Sequence, residues 1–229
     1  MPSKLASGDE RLEQALASLT SALNATRVPW MIIGGIAVVA RGVRRMTTDI
    51  DAAVRGDRID VATLAKALAK KRIVPRIADA VQFASESLVL LVKHEPTGVE
   101  LDITMAWTDF EHEALEAASL AAFGAVNAPM ARAEDLVVFK AIAARPKDLE
   151  DAKTLLLLYP RIDRDRVRAR VRELAALSEQ PDLALGLEAI LTASAGKPTR
   201  TKAPAASPVS GKTTTPKARP RKGKAKARR

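Results

Sequence analysis

Two neighbouring stretches decide the fold: Ile32-Ile33-Gly34-Gly35-Ile36-Ala37 and, after a short loop, Arg44-Arg45-Met46-Thr47-Thr48-Asp49-Ile50-Asp51. The first is the end of a short apolar run that two glycines interrupt, which predicts a buried strand turning into a helix. The second leads into alternating acidic and apolar residues, which predicts another strand. Side chains alternate between the faces of a strand, so Asp49 and Asp51 share one face, about 6.6 Å apart along the chain.

A third carboxylate follows the same logic. In the stretch Val99-Glu100-Leu101-Asp102-Ile103-Thr104, the apolar residues take one face of a predicted strand and Asp102 lies on the other. If this strand lies beside the first, Asp102 completes a triad with Asp49 and Asp51. Carboxylates so placed repel one another unless water solvates them or cations bind between them. A two-metal site, with ions about 3.5–4 Å apart, needs such a group, and Mg²⁺ takes oxygen ligands without His or Cys. The alternative is a solvated sheet face.

The glycine pair, Gly34-Gly35, lies between a predicted strand and a predicted helix. Backbone N–H groups that no side chain covers can hold a triphosphate at such a turn. The alternative is that the two glycines only make a turn. The order of the features favours a site: a strand, the glycine pair, a helix, the Asp-x-Asp strand, and later a strand with an acidic pair.

Together these features resemble the nucleotidyltransferase superfamily of polymerase-β-like fold. Its signature is a Gly-Gly or Gly-Ser turn, an Asp-x-Asp strand and a third carboxylate on a later strand. The form with Arg45-Met46-Thr47-Thr48-Asp49-Ile50-Asp51 after the glycine pair is similar to that of AbiEii-type toxins of type IV toxin–antitoxin systems. The similarity continues through Ala133-Glu134-Asp135-Leu136, Lys140 and Arg145-Pro146-Lys147-Asp148-Leu149-Glu150-Asp151, and it covers residues 16–158.

The resemblance implies an enzyme that moves a nucleoside monophosphate from an NTP, with ATP binding among its expected properties, to an acceptor hydroxyl on tRNA, another RNA or a protein. Asp49, Asp51 and Asp102 would be the catalytic residues and the ligands of two Mg²⁺ ions. A cognate antitoxin is an implied partner. One departure is that many members carry a Ser where Gly35 stands here. The implied nucleotide-binding residues are Gly34, Gly35, Arg45, Thr48 and Lys140.

Several of these residues also have ordinary structural interpretations. Lys140, on a predicted helix, either reaches the triphosphate or is a surface Lys whose stem lies along apolar neighbours. Arg45 either neutralises a phosphate or pairs with an acid, and Thr48 is predicted to face inwards. Asp148 and Asp151 either lie near the site or cap and solvate the start of a helix.

The remaining periodicity predicts an α/β (α+β) protein with a small mixed sheet, flanking helices and a helical C-terminal part. The predicted strands are 30–33, 49–54, 74–77, 87–93 and 99–105. The predicted helices are 10–24, 36–41, 60–71, 133–144, 147–158, 163–177 and 182–193. We divide the chain into a nucleotidyltransferase-like α/β core at 1–130, a helical extension packed on it at 131–193, and a tail at 194–229.

The excess of positive over negative charge lies in this tail. The chain carries 37 Lys and Arg against 27 Asp and Glu, a net charge of +10. Because 12 of the basic residues and none of the acidic ones lie in 194–229, residues 1–193 have a net charge of −2. The Lys/Arg/Ala/Pro-rich composition predicts disorder and nonspecific contact with nucleic-acid phosphates. A second function is therefore open: a catalytically weak or inactive nucleotidyltransferase-like domain that acts as a nucleic-acid-associated binding module through its tail.

The composition excludes several other classes of protein. Without Cys there is no disulfide framework, thiolate zinc site or Cys nucleophile. His94 and His112 are too few for a His-rich metal site and are predicted to be surface residues. The polar start of the chain and the short apolar stretch 28–40 predict a cytoplasmic protein that does not enter a membrane. The alternate arginines of 164–172 predict a solvated helix, with a tRNA- or partner-facing surface as the alternative.

Overall fold

A single mixed β-sheet organises the computed structural model of the chain, which describes residues 8–180 and 182–194. Its strands are β1 (Trp30–Ile33), β2 (Asp49–Arg55), β3 (Ile73–Pro75), β4 (Val89–His94), β5 (Val99–Ala106), β6 (Ser119–Phe123) and β7 (Val126–Met130). They lie in the order β3-β4-β5-β2-β1-β7-β6. The pairs β2–β5 and β1–β7 are parallel, and the other neighbours are antiparallel. The predicted α/β class with a small mixed sheet is confirmed.

Helices precede, connect and follow the strands. They are α1 (Gly8–Thr26), α2 (Gly34–Ala40), α3 (Val61–Ala69), α4 (Ala80–Ser87), α5 (Asp109–Glu116), α6 (Ala133–Ala143), α7 (Pro146–Leu158), α8 (Arg164–Leu177) and α9 (Asp182–Ser194), with a 3₁₀ turn at Gly56–Arg58. Within the part of the chain that the structure describes, no helix is both long and apolar enough to cross a bilayer. The predicted tail, 194–229, lies outside the described residues except for Ser194.

Helix α1 shows how apolar spacing builds the core. Leu12, Leu16, Leu19 and Leu23 recur every three or four residues and are buried, so one face of the helix packs against the sheet. The buried residues of α6 to α9 belong to the same hydrophobic cluster as those of α1 and the strands. The helical part that follows β7 therefore shares a hydrophobic core with the sheet, and α6 contacts α2. The division at 130/131 stays a prediction.

Strand register brings the acidic residues together. Strand β2 runs antiparallel to β1, with Ile33 opposite Asp51, and parallel to β5, with Asp51 opposite Asp102. In β5, Leu101 and Ile103 are fully buried, whereas Asp102 on the other face is half-buried. The alternation predicted from the sequence therefore holds on both strands, and the parallel pairing places the two acids side by side.

Three elements have no counterpart in the sequence prediction: α4, α5 and the β6–β7 hairpin. The β6–β7 strands are rich in Ala, and Pro129 lies within β7, both of which disfavour a strand prediction. The hairpin forms because Gly124 adopts a φ of +56° in the connecting turn. Strand β7 meets β1 only at Met130, beside Ile32, so the missing N–H of Pro129 disrupts little pairing. Helix α5 is fixed by a capping box between Thr108 and Glu111.

The arginines of α8 pair with acids on neighbouring helices. Arg166 contacts Glu134 of α6 at 2.5 Å, and Arg170 contacts Glu113 of α5. Arg168 contacts Glu188 of α9 at 3.0 Å. These side chains therefore join α8 to three other helices. The pairing accounts for these arginines without a freely solvated helix and without a surface that faces nucleic acid.

His94 is buried, so its prediction as a surface residue is wrong. It is 2% exposed at the end of β4, under α1. Its Nδ1 lies 2.9 Å from Thr97 Oγ1 and its Nε2 lies 3.1 Å from Ser18 Oγ. Burial lowers the pKa of His94, because the imidazolium form would lose its hydration there, and the nearby Arg72 adds to this effect. The strand alternation that predicts the acidic face also places His94 on the core face.

We expect the free energy of unfolding to fall as the pH drops from about 7.5 to about 5.5, because the unfolded chain protonates near the ordinary His pKa of about 6.5 while folded His94 resists protonation. This stability is complete above that pKa and is lost as the pH approaches the lowered pKa of the folded state. Denaturant titrations across this range should show a smaller decrease for His94→Gln. His112→Gln retains His94 and is the matched control, so an equal pH dependence in both variants contradicts the assignment.

Candidate active site

Three carboxylates form the centre of the site. Asp51 and Asp102 lie opposite each other on β2 and β5, and Asp49 lies two residues earlier on β2. Burial raises the pKa of Asp51, and the charges of Asp49 and Asp102 raise it further. The charge of Lys140 and a hydrogen bond from the Gly35 N–H act in the opposite direction. The cluster is thus short of positive charge.

Asp102 has a cationic partner of its own. Burial raises the pKa of Asp102, and the charges of Asp49 and Glu100 act in the same direction. Arg76 opposes this shift, because its guanidinium donates hydrogen bonds to both Asp102 and Glu100. No sequence pattern indicated Arg76, which lies 26 residues before Asp102 and is joined to it through the sheet.

The donor set fits a hard divalent cation. Asp49, Asp51 and Asp102 offer only carboxylate oxygens, which are the ligands Mg²⁺ prefers, and their mutual repulsion would be relieved by positive charge between them. In the described ranges, no three Asp, Glu or His side chains lie close enough to enclose an ion as they stand. The fit therefore rests on the chemistry and register of the carboxylates, and Mg²⁺ binding stays a prediction.

Both glycines of the pair make room for side chains of the site. Gly34 has a φ of +61°, and a Cβ there would lie 1.8 Å from Asp51 Oδ2. A Cβ on Gly35 would lie 2.3 Å from Thr47 Oγ1. These separations are far below van der Waals contact. The glycine pair is therefore required for Asp51 and Thr47 to approach the start of α2, in addition to any phosphate it binds.

The structure places Thr47 against the carboxylates. Thr47 Oγ1 donates a hydrogen bond of 3.0 Å to Asp49 Oδ1 and lies beside Gly35. Thr48, predicted to face inwards, is exposed, and it borders a cleft of about 670 Å³ together with Arg45 and Phe123. The prediction of its orientation is wrong because strand alternation begins only at Asp49. A role of Thr48 in nucleotide binding stays a prediction.

A buried ion network lies behind the carboxylates. Lys140 Nζ is 2.7 Å from Asp148 Oδ1 and 3.5 Å from Asp151 Oδ2. Arg145 donates a hydrogen bond to Asp148, and Arg45 donates one to Asp151. Burial alone would raise the pKa of Asp148, but the hydrogen bonds from Arg145 and Lys140 outweigh it and hold the pKa below its usual range. Five charged residues, from α6, from α7 with its N-cap and from the loop before β2, thus meet in this network.

These contacts decide between the alternatives left open by the sequence. Lys140 is buried, so its interpretation as a surface Lys is wrong. Asp148 and Asp151 are also buried and pair with cations, so neither simply caps or solvates the start of α7. Arg45 pairs with an acid, as one of its two interpretations holds. The sequence could not show this, because a buried Lys is recognisable only once its partners on the next helix are known.

We expect Gly34→Ala to destabilise the protein more than Gly98→Ala. Both glycines have positive φ, +61° and +71°, so both substitutions carry a backbone cost of about 1–2 kcal/mol. A Cβ at Gly98 meets no heavy atom within 4 Å, whereas one at Gly34 overlaps the Asp51 carboxylate. Thermal unfolding should therefore show a clearly larger decrease in melting temperature for Gly34→Ala than for Gly98→Ala. Equal losses would mean that Asp51 moves aside without cost.

We expect Lys140→Met to reduce the free energy of unfolding by about 3–5 kcal/mol, because it leaves the buried Asp148 carboxylate without its buried cationic partner. Lys153→Met is the matched control, since Lys153 forms an exposed pair with Glu150 at 3.6 Å and should lose less than about 1 kcal/mol. Urea denaturation measures both values. A small loss for Lys140→Met would show that Arg145 alone satisfies Asp148.

Comparison with known proteins yields similarities at the level of solved structures. No family model matches the chain, and no curated protein matches it. The solution structure of the antibiotic-resistance factor ANT(2'')-Ia is 18% identical, with a TM-score of 0.48, over 75% of this chain and 92% of that one. The crystal structure of an antigenic nucleotidyltransferase-like protein from Paracoccidioides brasiliensis is 16% identical, with a TM-score of 0.49, over 82% of this chain and 95% of that one. At this level of similarity, the activity has to be argued from the site itself.

Proposed function

We propose that the chain is a Mg²⁺-dependent nucleotidyltransferase, which moves a nucleoside monophosphate from an NTP to an acceptor hydroxyl and releases pyrophosphate. One observation carries the proposal. The parallel pairing of β2 with β5 sets Asp102 opposite Asp51, two residues from Asp49 and next to the glycine pair at the end of β1. Three carboxylates in this register meet the need of phosphoryl transfer for bound cations beside a positioned phosphate.

Each acid has a distinct role in the proposed reaction. Asp49, Asp51 and Asp102 would hold the metal ions, and Asp102 would also accept the proton of the acceptor hydroxyl. The acceptor oxygen forms a bond to the α-phosphorus while the bond to the bridging oxygen of the β-phosphate breaks. When bound, Mg²⁺ neutralises the charge that develops on the phosphate oxygens. Burial raises the pKa of Asp102, which favours its role as the proton acceptor.

The remaining contacts support roles in holding the nucleotide. The side chains of Asp51 and Thr47 lie against Gly34 and Gly35, and in this proposal the backbone at the glycine pair approaches the phosphates beside them. Lys140 acts on Asp51 through its charge, and Arg45 lies beside Gly35 while it pairs with Asp151. In this proposal, Lys140 and Arg45 supply positive electrostatic potential at the triphosphate and keep the surrounding structure rigid. In the same proposal, Thr48 contacts the nucleotide from its exposed position.

The resemblance of the Arg45–Asp51 pattern to AbiEii-type toxins favours a toxin-like role in a type IV toxin–antitoxin system. The proposed acceptor is then tRNA, another RNA or a protein in the cytoplasm, and a cognate antitoxin opposes the activity. A second candidate has one observation in its favour, which is that the net positive charge of the chain lies in 194–229. In that candidate the domain turns over weakly or not at all and serves as a binding module that the tail attaches to nucleic acid.

The full chain, incubated with each labelled NTP, Mg²⁺ and either total tRNA or lysate protein, should transfer label to an acceptor. Asp49→Asn/Asp51→Asn keeps the shape of both side chains but removes their charge, so transfer should fall by at least about 10²-fold. Asp60→Asn is the matched control, because Asp60 caps α3 away from the site and Asn caps equally well.

Calorimetric titration of the full chain with each NTP in the presence of Mg²⁺ separates the two candidates. If the chain binds an NTP, the Asp49→Asn/Asp51→Asn variant does not bind it, and no label is transferred, the result favours the binding module. Absence of both transfer and NTP binding, with salt-sensitive nucleic-acid binding that survives the double substitution, would overturn the enzyme proposal.

A further inference from the structure

Arg76 lies at the end of a row of residues that crosses the sheet to the carboxylates. It follows β3 directly, and its backbone N–H donates a hydrogen bond of 3.2 Å to the carbonyl oxygen of Leu91 on β4. Leu91 lies opposite Asp102 on β5, and Asp102 lies opposite Asp51 on β2. The backbone of Arg76 is thus fixed to the sheet, two strands away from the third carboxylate.

The guanidinium of Arg76 binds two acids at once. One terminal nitrogen donates to Glu100 and the other donates to Asp102. The side chain of Arg76 is 21% exposed, compared with 42% for Asp102 and 62% for Glu100. A planar fork with two charge-assisted hydrogen bonds holds its partners in one geometry more strongly than a single ion pair does. Asp102 is therefore held on the side that faces β4.

This position is also where the proposed reaction needs a metal ion. Asp102 lies among acids on its own strand and on β2, namely Glu100, Asp49 and Asp51. A divalent cation bound to Asp102 would repel a guanidinium that donates to the same carboxylate, because both carry positive charge at short distance. The two cations therefore compete for one acid.

We propose that Arg76 is a positioning residue, which holds Asp102 as its counter-ion in the cation-free protein and is displaced from it when a divalent cation binds. The inference rests on the proposed function, because it takes Asp102 as a ligand of that cation. Its consequence is an order of assembly: cation binds first at Asp49 and Asp51, and Asp102 joins only after its pair with Arg76 is broken. Until then the Asp102 carboxylate accepts a hydrogen bond from Arg76.

Mn²⁺ binding to the full chain, followed by electron paramagnetic resonance, tests the competition without reference to activity. Arg76→Gln removes the competing charge, so we expect Mn²⁺ to bind about five- to tenfold more tightly than to the unsubstituted chain. Arg72→Gln is the matched control, because Arg72 lies just before β3 and pairs at 3.7 Å with the exposed Glu95; its Mn²⁺ affinity should not change. Arg76→Lys keeps the charge without the fork and should fall between the two, and it replaces Arg76→Gln if that variant does not fold.

A double-mutant cycle shows whether Arg76 acts through Asp102. The increase in Mn²⁺ affinity caused by Arg76→Gln should disappear when the two proteins compared both carry Asp102→Asn. A gain of the same size in the Asp102→Asn background, or an Mn²⁺ affinity that Arg76→Gln leaves unchanged or lowers, would overturn the inference and leave the proposed function standing. If neither the unsubstituted chain nor Arg76→Gln binds Mn²⁺, both the inference and the metal-dependent function fail.

Discussion

The parallel pairing of β2 with β5 is the constraint on which the rest of the site depends, because it sets two like charges, Asp51 and Asp102, side by side. Carboxylates opposite each other on neighbouring strands destabilise a sheet unless cations or solvent compensate them. The protein supplies cations from both directions: Arg76 reaches Asp102 across β4, and Lys140 acts on Asp51 from α6. The glycine at the end of β1 leaves the space that the Asp51 carboxylate fills. Much of what surrounds these acids can be understood as a response to their repulsion.

Sequence patterns that extend over a few residues predicted the features that depend only on neighbouring residues, such as the face on which a side chain lies. The two-residue period of a strand put Asp49, Asp51 and Asp102 on equivalent faces, and the period of apolar residues located most helices. The orientation of Thr48 was wrong because the two-residue period does not extend into the loop before Asp49. The burial of Lys140 and the pairing of Arg76 were beyond reach for a different reason. Each depends on a partner that another element brings close, and nothing in the neighbouring sequence marks it. The β6–β7 hairpin escaped prediction because its Ala-rich strands gain their stability from pairing and carry little intrinsic preference.

Many charged side chains of the described residues form ion pairs with one another. The arginines of α8 join that helix to α5, α6 and α9, where Glu113, Glu134 and Glu188 accept them. A helix with this composition would be a natural candidate for a nucleic-acid surface if it were judged by sequence alone. Its pairing shows that a high local density of Arg is compatible with a purely architectural role, and it leaves the tail as the main source of net positive charge.

The ion network of Lys140, Asp148 and Asp151 also bears on how such a chain can change over evolutionary time. The change to helical periodicity after Pro129 predicts a boundary at 130/131, as though the helices that follow were a separate module. Yet Asp151 on α7 pairs with Arg45 in the loop before β2, and the positive charge of Lys140 acts to lower the pKa of Asp51. A recombination event that exchanged the helical part alone would leave Arg45 without its acid and Asp51 without its neighbouring cation. A chimera that keeps these contacts would have to carry the loop before β2 along with the helices.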